Sequence, residues 1–263
     1  EQCSAIGRRL AALMKGRAPR SIVIVGGGFE GVEVLGEILR RYRSRANLTL
    51  HLVESGPRLM ASVSARIDTA VRKHIRPYDA HIHTGTPVAA VTATGVRLGS
   101  GERIRSDLTI WTGGSTAPPL LQATGLASKP RQWAPVEATL RSRRWRNVFV
   151  IGDAAALPVP IPKQAFHALE MGDCAADNVR RTVAGRALRQ FRPSRTPMLV
   201  TFGDLDTFLV AGRSVVASPT LAAGKEAVYQ VTMTQIDPPS SVQALGELAS
   251  RVIGVTRRLT PLK

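Results

Sequence analysis

The chain has 263 residues, 44% of them hydrophobic and 21% charged, with only 5% aromatic, so it can bury an aliphatic core and is not disordered by composition. Its 36 Lys and Arg against 19 Asp and Glu leave a net charge of +17, a field that attracts phosphorylated ligands, anionic lipid and nucleic acid. The arginines recur along the whole chain without a basic stripe interleaved with aromatics, which argues against a nucleic-acid partner.

Residues 4–17 read as a short basic helix ended by the Ala18-Pro19 step. Ser21–Val25 is a continuous apolar run, as in a buried parallel strand. A helix over 31–42 follows, with Val32, Leu35, Ile38 and Leu39 on one face, and then a second strand over 48–54. A helix is expected near 62–74. The stretch from Asp79 to Ile104 alternates in short runs between glycines and reads as a small antiparallel meander. "SDLTIWTGG" returns a buried strand, with Trp111 taken as a core residue.

Beyond it lies a loop-rich stretch. "RNVFVIGDAAA" then reads as a strand ending at Gly152-Asp153, and "KQAFHALEMGDCAADNVRRTVAG" as a helix with many small residues. After Pro193, "PMLVTFGDLDTFLVAGRSVVASP" and "AVYQVTMTQ" both read as strands, and residues 242–259 as an amphipathic helix beside Arg257, Arg258 and Lys263. The expected segments are a linker helix over 1–19, a dinucleotide domain over 20–113, a second domain part over 114–193 and a C-terminal region over 194–263.

Gly26-x-Gly28-x-x-Gly31 carries the chemistry. Between a strand and a helix, such a bend needs its first glycine for the tight turn, its second for close approach of a pyrophosphate and its third for helix–strand packing. Phe29 and Glu30 complete the bend, and free N–H groups at the helix start face the phosphates. Glu54 ends the next strand 23 positions after Gly31, close to the roughly 20 expected of the residue that accepts the adenosine ribose hydroxyls. A carboxylate there repels a 2′-phosphate and favours NADH over NADPH. Arg58, four residues on, is a cation that would soften that preference. Gly113 and Gly114 lack side chains that would obstruct the dinucleotide.

With "VGGGFEGVEVLGEI", "TIWTGG" and "NVFVIGDAAA" in that order, the chain resembles the two-dinucleotide flavoproteins over about residues 5–235. The likeness is strongest to type II NADH dehydrogenases and related FAD-dependent pyridine nucleotide oxidoreductases. The resemblance implies an α/β fold of two dinucleotide-binding, Rossmann-like domains with a C-terminal α+β region, and FAD and NADH as cofactors. It implies that Glu33 lies near the nicotinamide end and that Asp153, after Gly152, binds the flavin ribityl chain. Lys163, Gln164 and Ala165 would open a helix near the flavin ring, while His167 reads as structural. In this family an earlier glycine fingerprint holds the flavin's ADP half. None is found here, so a chain incomplete at its N-terminus is expected.

The implied activity is hydride transfer from NADH to flavin and on to a small-molecule acceptor. It needs no protein acid or base at the reacting carbon, and so no catalytic side chain; no metal site is expected either. Where the family carries A-Q-x-x-x-Q for quinone, this chain has Ala165-Phe166-His167-Ala168-Leu169-Glu170, which argues against a quinone acceptor. Cys3 and Cys174 form no CxxC pair, which argues against a disulfide reductase and a zinc site. No apolar run reaches the roughly 18–20 residues of a bilayer span, so a cytoplasmic protein, soluble or peripheral on the membrane's inner face, is expected. A homodimer is counted among the expected partners, and an inactive nucleotide-binding homologue and a basic peripheral membrane-associated protein stand as the alternative functions.

Overall fold

The computed structural model describes residues 2–195, 197–212 and 214–236. They divide into two compact units, one comprising the chain up to Gly114 together with the described residues from Pro197 on, the other running from Ser115 to the 190s.

The first unit is built on a four-stranded parallel sheet. After helix α1 (Gln2–Leu13) come strand β1 (Arg20–Val25), helix α2 (Phe29–Tyr42), strand β2 (Leu48–Val53), helix α3 (Ala65–Ile75) and strand β3 (Ala80–His83). A three-stranded antiparallel meander follows as β4 (Val88–Thr92), β5 (Gly95–Leu98) and β6 (Arg103–Arg105), before β7 (Leu108–Trp111). The sheet order is β3-β2-β1-β7, so the strand order reverses between β1 and β7 at the carboxyl edge. Open α/β sheets bind ligands at such a switch point.

The apolar pattern explains the layers. Ile22 and Ile24 of β1 and Leu50 and Leu52 of β2 face α2, whose Val32, Leu35, Ile38 and Leu39 repeat at helical spacing and are buried. Val23, Val25 and Val53 point to the other face and meet Val96, Leu98 and Ile104 of the meander. A strand covered on both faces reads as an unbroken apolar run.

The C-terminal strands β10 (Met198–Phe202), β11 (Asp206–Ala211) and β12 (Ser214–Ala217) form an antiparallel sheet, followed by helix α6 (Leu221–Ile236). Phe202 and Phe208 are fully buried in the same core as β1 and α2. Gly36 of α2 and Gly203 of the β10–β11 turn meet backbone to backbone, and a Cβ at either would overlap the other. Arg43 grips Asp204 in a two-pronged ion pair, Nη1–Oδ1 2.6 Å and Nη2–Oδ2 2.9 Å. The C-terminal sheet is thus part of the dinucleotide unit's core, packed directly on α2.

The second unit contains α4 (Pro119–Ala123), a short parallel pair β8 (Ala134–Pro135) and β9 (Ala155–Ala156), and α5 (Ala165–Val183). His167, Met171, Ala175 and Asn178 form the buried stripe of α5. The Asn178 amide is fully satisfied: it donates to the carbonyls of Thr139 and Arg189 at 2.9 Å each and accepts from the Arg189 N–H at 2.8 Å.

Several expectations are corrected. Ala80–His83 belongs to the parallel sheet rather than to the meander, because Ala80 and Ile82 turn toward the main core. The run 147–151 is not a sheet strand; it makes one isolated bridge, Arg141 to Phe149, and among the described residues no parallel strand lies beside it. Residues 227–235 lie within α6 rather than in a strand, since the helix-forming run Leu221–Glu226 before them extends through them; the helix as a whole lies on β10 and β11. Trp111 is 57% exposed, because it falls on the alternating face of β7 at the strand's end, beyond the cover that buries Leu108 and Ile110. The amphipathic segment 242–259 lies outside the described residues.

Candidate functional site

The glycine bend joins β1 to α2 at the carboxyl edge of the sheet. Gly26 has φ +106°, and a Cβ there would sit 2.7 Å from the Thr112 carbonyl. A Cβ on Gly31 would overlap the Gly26 carbonyl. Both positions are closed to side chains by the protein itself. Gly28 is different. Its backbone (φ −74°, ψ −164°) suits any residue, and a Cβ there would have, beyond its chain neighbours, a single atom of the described residues within 4 Å. The fold leaves this side of Gly28 open, at the start of a helix that no side chain caps. Unsatisfied N–H groups facing open space suit an anion.

Glu54 closes the bend from β2. One carboxylate oxygen accepts the Gly27 N–H at 2.6 Å; the other accepts the Gly56 N–H at 2.5 Å and the Ser55 hydroxyl at 3.1 Å. Partial burial would push the carboxyl up, but these donors outweigh it and hold it below its ordinary value. Arg58 is engaged in its own loop. Its guanidinium donates to the carbonyls of Leu59, Met60, Ala61 and Val63, folding its own loop.

Thr112 was not singled out from sequence, yet its hydroxyl donates toward the carbonyls of Val25 (2.8 Å) and Gly26 (3.0 Å), bracing the bend from β7. The signal was present in its place between the β7 strand and Gly113-Gly114. Gly113 lies under the Trp111 indole, and Gly114, with φ +102°, has open space around its α-carbon. Phe29 packs partly against the main core, and Glu30 is exposed in the first turn of α2.

Glu33 is engaged within the unit. It accepts from the Thr201 N–H (2.9 Å) and hydroxyl (3.2 Å) and pairs with Lys225, linking α2 to β10 and α6.

The remaining expected residues gather in the second unit around a cavity of about 220 Å³, lined among others by Trp133, Leu157, Ile161 and Met171. Gly152, with φ +60°, donates its N–H to the Met171 sulfur at 3.1 Å. Asp153 is exposed. Lys163 donates to the Asp153 carbonyl and lies 3.4 Å over the Trp133 ring, and burial pushes its ammonium down. Gln164 stands at the N-cap position of α5 without a side-chain capping bond, and Ala165 opens the helix. His167 is buried, with its ring nitrogens 3.2 Å from the Pro162 carbonyl and 3.4 Å from that of Ser194. Cys3 and Cys174 are free thiols.

Residues 5–172, from the helix before the bend through the cavity, match the model of the pyridine nucleotide-disulphide oxidoreductases. The chain belongs to that family. Demethylphylloquinone reductase NdbB of Synechocystis is 27% identical over 216 residues, 79% of this chain and 53% of the relative. Type II NADH:quinone oxidoreductase of Staphylococcus epidermidis is 24% identical over 226 residues, covering 80% and 54%.

Among solved structures, NDH2 of Plasmodium falciparum in complex with NADH aligns with a TM-score of 0.69 at 12% identity, over 81% of this chain and 62% of that one. A ferredoxin reductase of Rhodopseudomonas palustris aligns with a TM-score of 0.61 at 20% identity, over 78% and 49%. The fold is therefore the Rossmann-like α/β fold of FAD- and NAD(P)-dependent oxidoreductases. The chain spans about half the length of the curated relatives it matches. Among the described residues no helix is long and apolar enough to cross a membrane.

Proposed function

We propose that this chain carries the NADH-binding unit of an FAD-dependent NADH:acceptor oxidoreductase. The observation that carries the reading is Gly28: a glycine that the protein does not itself require, at the open start of α2, on the edge where the sheet order reverses. The pyrophosphate of NADH would lie against Gly28 and the first N–H groups of α2, with Gly26, Gly31 and Phe29 shaping the turn. Glu54 keeps lone pairs beyond those used by Gly27, Gly56 and Ser55 and would receive the adenosine ribose hydroxyls. With Arg58 committed to four carbonyls, nothing in that loop offsets the repulsion Glu54 exerts on a 2′-phosphate, so NADH is preferred to NADPH. Gly113 and Gly114 would leave room for the dinucleotide beside β7.

Gly152, Asp153, Lys163, Gln164 and Ala165 are the residues proposed to meet the flavin. The cradle fits such a role: a glycine at positive φ, an exposed carboxylate and a largely apolar cavity share one surface. A bound flavin supplies the hydride acceptor. The chain's own residues bind, orient and exclude water. A quinone is the acceptor class indicated by the names of the relatives, although Phe166 and Glu170 stand where the family's glutamines would be.

Calorimetric titration of the full chain with NADH and NADPH tests the reading. NADH should bind and NADPH should bind at least tenfold more weakly. Failure of the wild-type chain and of variants with a less anionic bend to bind NADH would remove it.

A further inference from the structure

Among the described residues, and beyond the chain neighbours of Gly28, the one atom within 4 Å of a Cβ placed there is a carboxylate oxygen, Glu30 Oε2 at 3.9 Å. The open side of the second glycine, where an anion is expected, thus faces an anionic side chain. Glu30 is exposed in the first turn of α2, and that helix has no side-chain cap. A carboxylate at this end complements the positive helix terminus. Glu30 stands on the side of Gly28 from which the proposed phosphate would approach. The neighbouring carboxylate, Glu54, is committed to the bend, and Arg58 is committed to carbonyls. Neither relieves the negative charge that Glu30 adds.

We infer that Glu30 is an affinity-setting residue of the dinucleotide site that works against the ligand: it competes with the pyrophosphate for the start of α2 and weakens binding. This rests on the proposed NADH reading and deepens it. The chain's charge of +17 draws NADH toward the protein, while Glu30 locally repels the part of NADH that must dock. An exposed side chain can swing aside, and water screens it, so the effect is modest, a change of roughly three- to tenfold in affinity.

The test is calorimetry on the full chain, wild type against Glu30→Gln and Glu30→Ala, with NADH and with uncharged adenosine as probes. Both variants should bind NADH roughly three- to tenfold tighter. The gain should shrink as salt rises from about 20 to about 500 mM, because screening removes what the substitution removes. Adenosine, lacking phosphate, should bind all three alike. Equal or weaker NADH binding by the variants would overturn the inference, as would a gain in Glu30→Gln alone, which would mark a new hydrogen bond rather than a lost charge. NADH binding by the variants and not by the wild type supports it. If none of the three binds NADH, the dinucleotide reading falls, and the inference with it.

Discussion

The carboxylate of Glu54 accepts the N–H of Gly27 at 2.6 Å, so the end of β2 is tied to the bend that follows β1. The residue proposed to grip the ribose is therefore also a brace of the loop that receives the pyrophosphate. Glu54→Gln keeps one acceptor oxygen but loses the charge and one of the two N–H contacts. Charge-assisted hydrogen bonds of this kind contribute about 1.5–3 kcal/mol. The variant should melt earlier and bind NADH at least tenfold more weakly in calorimetry. Unchanged affinity would disconnect Glu54 from the ligand.

Gly28 and Gly31 separate ligand from fold. Gly31→Ala places a methyl on the Gly26 carbonyl, backbone against backbone, and should cost about 3 kcal/mol or more in denaturant unfolding. Gly28→Ala meets no backbone and should stay within about 1 kcal/mol of wild type. It should nonetheless lose most of its NADH affinity, because the methyl fills the proposed phosphate cradle. A Gly28→Ala chain that binds NADH normally would place the ligand elsewhere.

Stability should fall in mild acid because of His51. Burial, then its neighbours His83 and His81, lower its pKa from 6.5 to about 4, against a smaller opposing pull from Asp79. The His51 and His83 rings approach to 3.1 Å between Nδ1 and Nε2. The unfolded chain takes up the His51 proton first as pH falls, so this contribution is full above about pH 6.5 and is lost toward pH 4. Discounted for partial exposure, it amounts to about 1–2 kcal/mol. His51→Asn should flatten the stability profile across that window in urea titrations, and an unaltered slope would refute the assignment.

Arg43 and Asp204 join α2 to the β10–β11 turn, and both side chains are mostly buried. A double-mutant cycle of Arg43→Ala and Asp204→Ala should give a coupling of about 1–2 kcal/mol. Strict additivity would show that this pair does not help to hold the C-terminal sheet.

Much of the first unit was legible along the chain. β1, α2 and β2 announce themselves because a doubly covered strand needs an unbroken apolar run and a half-covered helix needs apolar residues every three to four positions. Ala80–His83 did not, because Ala-His-Ile-His alternates as an edge strand of either kind, and only its neighbour decides which. The run 147–151 has strand composition without a partner strand among the described residues. Trp111 has core chemistry at a strand end where it stays more than half exposed.

What adjacent residues determine by themselves is backbone conformation: the bend at Gly26–Gly31, the helix after it and the carboxylate at the end of β2 follow from sterics and periodicity acting within a few residues. What only the tertiary structure decided is how polar side chains spend their bonds. Arg58 turns onto its own loop, Thr112 braces the bend from β7, and Glu33 bonds Thr201, 168 positions away. A side chain takes the partner that packing brings within about 3 Å, and no local pattern specifies which distant element that will be.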